Sequence, residues 1–145
     1  MGYRRALAMV FLAGVLVGGC ARGPFVPLQV GQCLPRGAGV EGQRAQSPTT
    51  VACDEPHRYQ VFAIVTLEPP DDAWPGEDLI TVNAENRCAA EIEAATGLDP
   101  RDTPTDVELV HVDPSVESWR KGDREVECLF RWDSETTDTL VAARH

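Results

Sequence analysis

Apolar and polar positions follow several distinct patterns along this chain, and each predicts an element. Residues 6–17, ALAMVFLAGVLV, form an almost unbroken apolar run behind Arg4 and Arg5. The run is shorter than the ~20 residues of a bilayer-spanning helix, and it has the length and flanks of a signal-peptide core. Tyr59 to Leu67, YQVFAIVTL, is the strongest strand signal. It is apolar on both faces from Val61 to Val65, which predicts a strand inside a sheet covered on two sides. Between residues 77 and 96, apolar or small side chains recur at Ile80, Ala84, Cys88, Ile92 and Ala95, drawing one helical stripe. Glu77 and Asp78 suit the positive end of that helix, and Gly97 supplies a left-handed stop. Val107 to Val112 and Glu125 to Trp132 read as strands, the second with Val126, Cys128, Phe130 and Trp132 sharing a face. Val30 to Leu34 and Thr139 to Ala143 read as brief outer strands. The segments 35–50, 68–76 and 113–124 carry the glycines, prolines and polar residues of loops. Strands, one main helix and further strands predict an α+β fold, a small antiparallel sheet packed against one helix.

The apolar leader ends in Val17-Gly18-Gly19-Cys20, small residues ahead of a cysteine, and this resembles a bacterial lipobox. That resemblance implies cleavage before Cys20 and acyl chains on its thiol. The plainer alternative is an ordinary signal peptide or anchor with an incidental cysteine. On the lipobox reading the chain divides into a lipoprotein signal peptide (1–19), a lipidated N-terminus and tether (20–29), and an α+β domain (30–145). Four of the five cysteines remain: Cys33, Cys53, Cys88 and Cys128. An even set in an oxidising compartment predicts two disulfides, with three pairings open in principle. Cys88 lies in the helix stripe and Cys128 on an alternating strand face. This favours a Cys88–Cys128 staple between helix and sheet, and leaves Cys33 for Cys53.

Charge narrows the partners. The chain has 13 basic and 23 acidic residues, a net of −10; removing residues 1–19 takes Arg4 and Arg5 and leaves 11 − 23 = −12. Such a surface excludes nucleic acid, which is gripped by clustered lysine and arginine. It also excludes a polybasic hold on anionic lipid, so the acyl chains on Cys20 must supply the membrane attachment.

Candidate chemistry centres on VACDEPH (51–57), which sets Cys53 ahead of His57 beside two carboxylates. A zinc site needs three or four converging ligands, often in close pairs. Here the four cysteines are widely spaced and no CxxC or HExxH occurs. A nucleophilic thiolate requires a free cysteine, whereas the even count makes Cys53 a bridge partner. No GxSxG elbow is present, and the many acids read as solvated surface. The expectation is therefore no catalytic residue, no metal and no cofactor. Pro56 and His57 are expected to shape the start of the central strand, the His57 ring serving loop backbone groups. Trp119 is expected to pack its connector on the sheet, with Arg124 pairing locally. If His57, Trp119 and Arg124 converged on one groove, they would form a ligand or protein surface.

VGQCL (30–34), VACDEPH (51–57), NRCAA (86–90) and DPSVESWRKGDREVECL (113–129) together resemble the septum formation family of actinobacterial lipoproteins and membrane proteins. The resemblance covers residues 30 to about 132. Gln32 departs from the acid more usual after that glycine, and the loop at 35–50 is long; neither touches the cysteines. The resemblance implies an envelope role near cell division and carries over no catalytic residues. The expected protein is a non-enzymatic lipoprotein on the extracytoplasmic face of the cell membrane, binding an envelope protein or cell-wall component. The alternative is a small-molecule or lipid-binding lipoprotein with a pocket between helix and sheet; a wall hydrolase ranks behind both.

Overall fold

The computed structural model describes residues 27–40, 48–69 and 72–141. The leader, Cys20 and the first part of the expected tether lie outside these residues. The elements, in order, are β1 (Cys33–Leu34), β2 (His57–Thr66), α1 (Glu77–Thr96), a 3-10 turn (Pro100–Asp102), β3 (Val107–Val112), α2 (Val116–Arg120) and β4 (Glu125–Thr136). The strands form one antiparallel sheet in the order β1-β2-β4-β3. The fold is α+β, with one main helix on a small antiparallel sheet and two disulfides.

The stripe on α1 faces the sheet as its spacing predicts: Ile80, Ala84, Cys88 and Ile92 are buried. They meet Phe62, Val65, Val126, Cys128, Phe130 and Trp132 in the larger core, where Phe62 stacks on Phe130 with ring centres 4.3 Å apart. Gly97 ends the helix in the left-handed conformation (φ 74°), and its N–H bonds to Glu93 O at 2.8 Å. A side chain there would be strained, so glycine is what this stop requires.

The opposite face of the sheet explains why β2 is apolar on both sides. Tyr59, Val61, Val112 and Leu129 are buried there beneath Leu28, Leu34, Ala38 and Val40. The stretch expected as a tether thus delivers Leu28 into a core, and the loop expected to be featureless delivers Ala38 and Val40. The Cys33–Cys53 disulfide and the Val51 N–H to Cys33 O bond (2.9 Å) hold this cover down. A bulge in β2 between Val61 and Ala63 then changes which residues face which core. Phe62 and Ala63 both join the helix-side cluster, and Ile64 turns to the other.

Three further differences from the sequence expectation have local causes. Residues 115–120 are not plain connector: Ser115 and Ser118 cap each other reciprocally and start α2. β4 runs to Thr136, beyond the alternating apolar stretch, because its pairing with β2 continues to His57. The expected strand from Thr139 is a strap instead, for the described residues to Val141. The N–H groups of Leu140 and Val141 both donate to Gln60 Oε1, at 2.9 and 3.2 Å, rather than to a neighbouring strand.

Candidate functional site

The two disulfides join Cys33 to Cys53 and Cys88 to Cys128, the pairing that the helix and strand periodicities favour. Cys88 and Cys128 are fully buried between α1 and β4. No thiol of these four is left to act as a nucleophile or metal ligand. Among the described residues no group of three or more His, Cys, Asp or Glu side chains is placed to hold a metal ion.

His57, Trp119 and Arg124 do not converge. His57 opens β2 and pairs in register with Thr136; Thr66, at the far end of β2, pairs with Glu125. Over the ten residues of β2, a strand rise of ~3.3 Å per residue puts the two ends about 30 Å apart. His57 is completely buried. Its Nδ1 lies 2.9 Å from Glu55 O and its Nε2 lies 3.1 Å from Asp138 O. The ring also meets Trp132 edge-on, with centres 5.5 Å apart. A carbonyl oxygen only accepts, so a neutral ring can bond one of these groups and a doubly protonated ring both. The ring therefore binds loop backbone, as the sequence suggests. Its second partner, in the C-terminal strap, carries no local signal.

Trp119 and Arg124 do meet. The turn through Gly122 (φ 91°) brings Asp123 N to within 3.0 Å of Ser118 O and folds Arg124 back over α2. The Arg124 guanidinium lies 3.8 Å from the centre of the Trp119 ring, and the same side chain donates to Trp119 O and Asp123 O, both at 2.8 Å. Trp74 meets the Trp119 ring edge-on at 5.5 Å, and Trp119 Nε1 donates to Asp72 O at 3.1 Å. This cluster ties the connector before α1 to the turn before β4. A partly desolvated cation–π contact contributes roughly 1–2 kcal/mol to that tie.

One wall of the cluster belongs to a cleft of about 350 Å³ between the first turns of α1 and the segment leaving β2. Leu67, Pro69, Pro75, Leu79, Ile80 and Trp119 supply its apolar lining; Glu68, Asn83 and Arg87 supply polar groups. Leu79 is half exposed, directly beside Ile80 of the buried stripe on α1. The Asn83 amide nitrogen donates to Leu79 O at 2.7 Å, and Arg87 donates to Thr66 O. The volume lies in the range of small-ligand sites, and mixed linings of this kind are usual for them. Of the sequence-chosen residues only Trp119 reaches the cleft. The signal for the rest was the exposed apolar Leu79 beside the stripe on α1.

At the β3 edge of the sheet, His111 is partly buried, with Nδ1 2.7 Å from Asp113 Oδ1. The hydrogen bond to Asp113 raises its pKa, burial opposes this, and the negative charges of Asp113 and Glu85 add to the rise.

Among the described residues no helix is long and apolar enough to cross a membrane. Comparison with known proteins adds one finding. The profile of the family described as Septum formation matches residues 26–128, which takes in both disulfides, α1, α2 and the start of β4 as far as Cys128. No curated protein and no solved structure matches the chain.

Proposed function

The chain belongs to the Septum formation family, and from that premise we propose that it is a non-enzymatic binding domain of the cell envelope. Membership points to a role in septum formation or cell division. On this reading the chain is held at the extracytoplasmic face of the cell membrane by acyl chains on Cys20. From there it engages an envelope protein or cell-wall component. The observation that carries the reading is the pair of disulfides within the matched region, Cys33–Cys53 and Cys88–Cys128. Bridges of this kind form and persist in oxidising compartments, which supports export, and the lipobox-like Val17–Cys20 supports retention at the membrane. Cells depleted of the protein should show delayed or misplaced septa, restored by the wild-type chain. A Cys20→Ala variant should leave the membrane fraction and fail to restore them. Normal septation after depletion, or a Cys20→Ala chain still held at the membrane, would count against the reading.

The cleft favours a second reading, a small-molecule or lipid-binding role, because its size and mixed lining suit such a ligand. Native mass spectrometry of the membrane-purified protein should then show a bound molecule that is lost in Asn83→Trp, which fills the cleft.

A further inference from the structure

The sheet has one closed edge and one open edge. β1 is only two residues long, and Val51 bridges its outer side. β3 has no neighbour beyond it among the described residues. The register settles which of its backbone groups face outward. Asp133 N donates to Asp106 O, so the hydrogen-bonded pairs with β4 continue at Glu108–Arg131, Val110–Leu129 and Val112–Glu127. Val107, Leu109 and His111 therefore turn their N–H and C=O groups away from the sheet. Val107 N is taken up by Pro104 O at 3.0 Å. The outward groups of Leu109 and His111 have no backbone partner among the described residues. Sheet proteins ordinarily protect such an edge with lysine, proline or a bulge. VELVHV has none of these, and its one carboxylate is Glu108.

The pleat and the charges specify what would fit. Leu109 packs toward the helix-side core and is only partly covered, and Val107 beside it is the same. On the other face stand exposed Glu108 and Asp106, while Asp113 and Glu85 lie near His111 at the far end. Arg131, bonded to Glu108, is the nearby cation within the sheet. A chain with a net charge of −10 repels a second copy of itself at such an edge.

We propose that the outer edge of β3 is a docking edge for an extended segment of a partner protein in which apolar and basic residues alternate. The segment adds a fifth strand by bonding the outward groups of Leu109 and His111. Its apolar side chains cover Leu109 and Val107, and its lysines or arginines meet Glu108 and Asp106.

The test uses the full-length protein in detergent micelles and a synthetic peptide alternating lysine and valine, as long as the six-residue β3. Residue-resolved amide hydrogen exchange should slow by about tenfold or more at Leu109 and His111 when the peptide saturates. A peptide N-methylated at the pairing positions, or one alternating glutamate and valine, should give no protection. Leu109→Pro should abolish binding yet keep the fold, because the lost N–H points out of the sheet. Glu108→Lys should weaken the lysine peptide and favour the glutamate one, which keeps the test decisive if the proline variant fails to fold. Equal protection by the lysine and glutamate peptides would overturn the proposal, as would no protection by either. So would concentration-dependent protection without peptide, which would assign the edge to a second copy.

Discussion

His57 shows how a buried polar side chain can fix a distant part of the chain. Its ring sits between Glu55 O and Asp138 O, and Gln60 three residues later holds Leu140 and Val141. Together they clasp the strap that seats Val141 in the helix-side core. Replacing His57 by Leu keeps the bulk and leaves the carbonyl that accepts from the ring without its donor. A loss of about 2–3 kcal/mol in urea unfolding is expected, with faster amide exchange at Leu140 and Val141. The start of this was legible: Pro56-His57 ahead of an apolar strand suggests a ring serving the loop. Asp138 was not, because a partner 81 residues away leaves no trace in local spacing. His111 behaves differently, since its charged form gains a partner. Its raised folded pKa means that the Asp113 pair contributes stability fully below the unfolded value of about 6.5. That stability is lost as pH rises through the folded value. Thermal melts should show stability falling as pH rises from about 6.5 through that range, and His111→Gln should flatten this fall.

Among the elements, α1 was the most legible because its stripe has a single period and a defined stop, and residues 77–96 emerge with the same bounds. The same periodicity favoured the Cys88–Cys128 pairing. The second face of the sheet was hidden, since Leu28, Ala38 and Val40 come from a segment with no period of its own. The bulge in β2 was hidden too: an apolar run reads alike whether or not its facing changes partway. The cleft lacked a sequence signature beyond Leu79, because its lining comes from the connector after β2, from α1 and from α2. The two staples span 20 and 40 residues. Closing loops of those lengths restricts the unfolded chain and contributes roughly 3 and 4 kcal/mol respectively. Replacing Cys88 and Cys128 together by serine should therefore cost about 4 kcal/mol or somewhat less in denaturant unfolding. The Cys33/Cys53 double variant should cost less, and chiefly loosen the cover over Tyr59 and Val61.

For the whole molecule, the features fit one arrangement. A domain with one shielded sheet edge and one open edge among the described residues carries a strongly acidic composition and two disulfides, and follows a short apolar run in the sequence. The acidic surface predicts that any basic partner is held more weakly as salt rises, which binding at low and physiological ionic strength would show. The proposed function makes the protein an exported, lipid-anchored domain stapled by its two disulfides. Its most direct test is intact-mass spectrometry of the protein from the membrane fraction, purified without reductant and alkylated under denaturing conditions. The predicted result is a chain beginning at Cys20, heavier by its acyl chains, with no alkylation at Cys33, Cys53, Cys88 or Cys128. A chain that begins at Met1 without acyl mass, or alkylation at two or more of those four cysteines, would contradict it.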